Sequence, residues 1–266
     1  MKKNKPKTRM SYKFLFALPF FIFMIMMVVV PLSLLFFYAF FEDGSFTFAH
    51  IQYFFTDSVS VRILFRSLGI ALLATVIAIL IAFPIALGLA TAGFKRSHTI
   101  LMLFIMPMWI NLLLRSFALR ELFGIIGVER GLFALVFAIV LDYLPLAIIP
   151  IYVVISGTSK KYIEASQDLG ANPTQVFTKT ILPLSVPGIM AAFLLVFTPA
   201  ISTYFLVQYF GDNSTRMLGW LLFQLNINSE FGRASVISIA LLIIVVLTIL
   251  ITNRLSKRGN KRGGLW

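Results

Sequence analysis

Residues 14–41 carry no charge at all, and this 28-residue run is the first of several. A bilayer core about 30 Å thick is crossed by roughly 20 apolar helical residues, so every such run is a candidate span. Residues 67–92, 97–114, 180–211 and 234–253 are also uncharged, while 131–159 holds a single acid, Asp142, before its end. The pattern predicts spans at about 14–41, 67–92, 99–118, 132–155, 188–210 and 233–252. Only 12% of the residues are charged, against about 25% in a soluble domain. A cytosolic globular enzyme would lack the polar surface to cover such a core. The reading is an all-α, polytopic membrane protein with about six transmembrane helices.

Basic residues fix the expected orientation. The arm at 1–13 looks like the start of a signal peptide, but the apolar run behind it far exceeds the usual 7–15 residues and no A-x-A site closes it. It reads as an uncleaved first helix. Of the 23 Lys and Arg residues, sixteen fall on the side of the termini, in the arm, the 93–98 loop, the 156–187 segment and the tail at 253–266. Every Lys is among them. The positive-inside bias therefore places both termini in the cytoplasm. Basic arms next to a span are topology signals and contacts with anionic membrane lipids, so nucleic acid is not the expected partner. The expected organisation is a basic arm (1–13), one membrane domain (14–252) and a basic tail (253–266).

About 30 residues separate the fourth and fifth spans, and they are not linker-like. Residues 160–169 read as a helix that Gly170 ends in the left-handed conformation. Asn172, Pro173 and Gln175 then form the start signal of a second helix, which Pro183 is expected to end. Tyr162, Ala165, Ser166 and Leu169 share one stripe of the first helix. Such a stripe fits either close docking to another protein or packing on the chain's own spans.

Here a resemblance becomes specific. Glu164-Ala165-Ser166, then Gly170, then Leu182-Pro183 resembles the EAA signature of permease subunits in binding-protein-dependent ABC importers. Ser166 stands where that pattern has a second Ala, and Thr180 where it has Ile. The chain is most similar to the spermidine/putrescine permease subgroup. Further stretches resemble motifs of that subgroup in order: Pro107 through Trp109 and Asn111 to Arg115, Leu144-Pro145, Pro187-Gly188-Ile189, Met217-Leu218-Gly219 and Phe231-Gly232. Arg233 departs, standing where the subgroup has a small residue.

The resemblance implies a type I ABC importer permease in the plasma membrane of a prokaryote, forming half of a translocation path for polyamines. It implies that Tyr162, Glu164, Ala165, Ser166, Asp168, Leu169, Gly170, Ala171, Leu182 and Pro183 belong to a coupling element docked on a cytoplasmic ATPase. The partners implied are two ATPase subunits, a second and distinct permease chain, and an extracytoplasmic substrate-binding protein. No cofactor is implied.

Chemistry within the chain has little to work with. There is no G-x-x-x-x-G-K-[ST] phosphate loop, so ATP hydrolysis is expected in a partner. His50 and His98 are isolated, and Ser185 and Ser202 have no evident base. Asp142, the one carboxylate inside a span, is a functional candidate by default. It precedes Tyr143 and Pro145, and a carboxylate beside a ring suits an ammonium ion. The other readings are a structural pair with Arg115, or an acid at a helix end in water. Trp109, Asn111, Arg115 and Tyr204 are further candidates for the substrate path, with interface anchoring the alternative for the aromatics. Pro199 is expected to break span five. Ala74, Ala78, Ala82, Ala86 and Ala90 form a small-residue stripe for close helix packing. A gradient-driven secondary transporter with Asp142 as its ion site is the alternative function, and a membrane anchor a third.

Overall fold

The structure, a computed structural model, describes residues 12–42, 44–91, 97–158 and 160–263. Residues 1–11 of the basic arm, and Lys95 and Arg96 of the first short loop, lie outside the described residues. Helix α1 (Tyr12–Phe40) leads through a hairpin of β1 (Phe41–Glu42) and β2 (Ser45–Phe46) to α2 (Ala49–Thr56). Then follow α3 (Ser58–Thr91), α4 (Ser97–Ile105), α5 (Leu112–Ile125), α6 (Leu132–Gly157) and α7 (Lys160–Asp168). The chain finishes with α8 (Pro173–Gln175), α9 (Leu182–Ser202), α10 (Phe205–Phe210), α11 (Leu218–Ile227) and α12 (Phe231–Gly263).

Among the described residues, five helices are long and apolar enough to cross a membrane: Ala17–Phe40, Ser58–Thr91, Leu132–Gly157, Pro173–Ser202 and Phe231–Lys257. The expected third span is instead two helices, Thr99–Trp109 and Leu112–Ile125, bent by 91°. The cause is local. Pro107 sits in a tight 3-10 turn at Met106–Trp109, Ile110 is extended, and Asn111 opens α5 by accepting the Leu113 N–H at 2.8 Å.

Helix α6 is the central element, packed between α3 and α9. Ala74, Ala78, Ala82 and Ala86 of α3 are fully buried, so the small-residue stripe serves packing inside this chain. Gly188 brings α9 just as close on the other side: a Cβ there would lie 2.9 Å from the Pro150 carbonyl. Serine 67 ties in α11 from within the core, accepting the Leu218 N–H at 2.7 Å while donating to the Ile63 carbonyl. By contrast, α1 packs mainly along α12 and turns Phe20, Phe21, Phe23 and its neighbours outward, as lipid-facing residues do.

Four boundaries differ from the sequence reading. Span two starts at Ser58, nine residues early, because Asp57 accepts the Val59 and Ser60 N–H groups as a helix cap. Hydrogen bonding from Ser60 holds the Asp57 carboxyl below the usual carboxylate value. Pro183 does not end the second helix of the 156–187 segment. A proline withholds one hydrogen bond and crowds the carbonyl four residues back. Val176–Ile181 is wound as a wider π-helix that absorbs both effects, and the helix continues into α9. Pro199 likewise leaves α9 unbroken; the break falls at Thr203, whose backbone is extended. The tail from 253 is not separate either, since α12 continues through it to Gly263.

Candidate functional site

The connection between α6 and α9 forms one end of the bundle. Gly170 has φ +81°, the left-handed value expected of it. Its N–H donates to the Gln167 carbonyl at 2.8 Å and that of Ala171 to the Ser166 carbonyl at 3.1 Å, a complete Schellman ending for α7. Asn172 then accepts the Gln175 N–H at 2.8 Å while the Gln175 side chain accepts the Asn172 N–H at 3.1 Å. This capping box turns the chain sharply into α8. Asn172→Ala should cost about 1 kcal/mol of local stability. Amide exchange over residues 174–176 of the membrane-embedded protein is expected to quicken about fivefold; unchanged exchange would remove the cap from the account.

Three of the four stripe residues on α7, Tyr162, Ala165 and Leu169, do not face the chain's own spans. Tyr162 is 51% exposed and Leu169 88% exposed, with Glu164, Ala165, Asp168 and Gly170 also open. Ile163 and Ser166 turn inward instead, and Ser166 bonds the Ile163 carbonyl. The adjoining π-helical stretch is anchored to α3 by Phe177, whose ring meets Phe83 edge-on at 5.9 Å. Leu182 is partly exposed, and Pro183 and Ala171 are half-buried.

The intramembrane candidates separate into two groups. Asp142 is 6% exposed and forms an ion pair with Nη2 of Arg115. The structural-pair reading therefore describes this state, and a water-facing helix end does not. Arg115 Nη1 also donates to the Pro107 carbonyl at 3.0 Å, bridging the two arms of the bent pair. The side chain of Thr203 lies near the neighbouring Tyr143 hydroxyl. Asp142 and Tyr143 thus touch both helix breaks. Helix α6 itself stays helical through Pro145 and Pro150. Asn111 is occupied as a cap, Trp109 is 83% exposed beside the break, and Tyr204 stacks on Phe223 at 4.5 Å. Those three are not brought to Asp142 in the way Arg115 is. Thr203 had no signal in the sequence beyond Pro199, one turn away.

The opposite end is held by polar contacts. Arg233 pairs with Glu230 at 2.8 Å and lies 3.9 Å over the Tyr53 ring, which gives this departure from the motif a packing role. Trp220 donates to Gln208 at 2.9 Å and receives Arg216 over its face at 4.6 Å. Among the described residues, no group of three His, Cys, Asp or Glu is placed to hold a metal ion.

The fold is that of a type I ABC importer permease. It superimposes on a chain of a bacterial ABC transporter that imports the acidic polysaccharide alginate, with TM-score 0.74. That match covers 93% of this chain and 95% of the other at 16% identity. A chain of the MetNI methionine ABC transporter gives TM-score 0.61 over 75% of this chain and 95% of its own. The chain belongs to the family of binding-protein-dependent transport system inner membrane components, which matches residues 71–262. A spermidine/putrescine transport system permease protein, PotB, of Escherichia coli K12 is 32% identical over 226 residues. That alignment spans 77% of this chain and 82% of PotB. PotB of Haemophilus influenzae is 29% identical over 76% of this chain and 77% of its own length. Family and fold together make this a multi-pass permease subunit of an ABC importer.

Proposed function

We propose that this chain is one half of the membrane path of an ATP-driven importer of polyamines, with both termini in the cytoplasm. The exposed stripe of α7 carries the mechanistic part of this reading. Tyr162 and Leu169 are apolar groups turned away from the chain's own spans, at an end rich in polar residues, and they suit a cleft on an ATPase subunit. Closure of two such ATPases on ATP would displace α7, and the unbroken helix from Pro173 to Ser202 would carry that displacement to the break at Thr203. The second permease and an extracytoplasmic binding protein complete the assembly. The relatives named for spermidine and putrescine support the substrate class, as does an acid within the spans. The gradient-driven alternative draws no support from the family.

The test is uptake. The chain, assembled with its partner subunits in liposomes holding ATP, is expected to accumulate labelled spermidine or putrescine when the loaded binding protein is outside. Accumulation by the chain alone, driven by an ion gradient and indifferent to ATP, would overturn the reading. Uptake of an unrelated solute in place of polyamines would overturn the substrate class.

A further inference from the structure

Among the described residues, Arg115 is the one side chain that joins the bent helix pair to Asp142, and its bonding is incomplete. Two of its nitrogens are used, Nη2 on Asp142 and Nη1 on Pro107, but Nε is buried with no hydrogen-bond partner among the described residues. A buried ion pair offsets its desolvation only when the remaining donors are also satisfied. An unpartnered buried donor therefore leaves this pair weaker than its charge suggests. On the Asp142 side, one carboxylate oxygen accepts from Arg115, and the adjacent Tyr143 places a ring and a hydroxyl at the same level of α6. A primary ammonium has three donors and no fixed plane, so it can satisfy such a carboxylate without the geometric demands of a guanidinium.

We infer that Arg115 is an internal stand-in for the transported cation, occupying Asp142 until an ammonium group of the substrate displaces it. The inference rests on the proposed polyamine import. Displacement removes Arg115 from Asp142 and so releases the tie between α6 and the two arms that meet at Ile110. The empty path is held shut by the protein's own cation. Substrate then opens it by exchange, without leaving an unpaired carboxylate in the membrane. Discrimination follows from the same chemistry: a neutral solute offers Asp142 no replacement charge, and leaves the Arg115 pair in place.

The test uses the complete transporter with its partner subunits, in nanodiscs of uncharged lipid and without the binding protein. Spermidine binding is measured by equilibrium dialysis, and coupled uptake in liposomes with the binding protein. Arg115→Gln removes the competitor and should tighten spermidine binding at least fivefold. Asp142→Asn should weaken it at least tenfold. The double variant Arg115→Gln/Asp142→Asn should assemble, since both charges are gone, yet remain at least tenfold below wild type in uptake. A double variant restored to near wild-type uptake makes the pair structural and overturns the inference, as does spermidine binding unchanged in both single variants. If none of the variants assembles, the pair is a folding element and the inference also falls. Wild-type uptake of polyamines distinguishes these failures from a failure of the functional reading itself, which would show as no polyamine uptake before any substitution is made.

Discussion

Gly170→Pro in the assembled transporter is expected to abolish substrate-stimulated ATP hydrolysis and uptake, while the chain still inserts in the membrane. Proline fixes φ near −65°, whereas residue 170 sits at +81°. The substitution also deletes the N–H that donates to Gln167. The Schellman ending is lost, and the angle between α7 and the Asn172 capping box with it. The spans are untouched, because Gly170 lies outside them with nothing within 4 Å of a Cβ. A second variant, Glu164→Lys, leaves the backbone alone and reverses one charge on the exposed face of α7. It should weaken association with the ATPase at least tenfold, read by co-purification. Normal coupled transport by both variants would refute docking through this segment.

The second large effect concerns a single methyl group. A Cβ at Gly219 would overlap the carbonyl of Ser202 and lie 2.8 Å from that of Thr203. These are backbone atoms at the break between α9 and α10, so they cannot rotate aside. Overpacking of this kind costs about 1–3 kcal/mol and shifts the backbone. Gly219→Ala is therefore expected to lower the melting temperature of the detergent-purified chain by several degrees and to reduce uptake at least tenfold. The control is Gly69→Ala on α3, where a Cβ meets nothing within 4 Å. It should be neutral or stabilising, since Ala restricts the unfolded chain more than Gly. Equal behaviour of the two variants would show that the close approach at Ser202 is not limiting.

How much of this was readable from residues depends on the length scale of the signal. Runs with at most one charge announced the core of each of the five long apolar helices among the described residues, since a run of that length has no other stable home. The caps at Gly170 and Asn172 were equally visible, because each demands a particular residue type within four positions. The proline breaks were not. Whether a proline stops a helix depends on whether neighbouring turns can widen, and at Pro183 the π-helical stretch does so. The bend at Ile110 escaped because the flanking residues are as apolar as any span. The pairing of Arg115 with Asp142 appeared only as one of several fates for that acid. It joins residues 27 apart in sequence on different helices, and no local spacing encodes it.

One consequence follows from the uninterrupted helix between the Asn172 cap and Thr203. Thirty residues make a rod of roughly 45 Å, at 1.5 Å per residue. A tilt of about 5° at one end of such a rod sweeps the other through roughly 4 Å. The far end cannot simply drag its successor along, because Gly131 holds Phe210 at the end of α10 through a 2.9 Å hydrogen bond. If α7 couples to an ATPase as proposed, a stroke delivered there would concentrate its strain at residues 203 and 204, beside Tyr143 and the acid next to it.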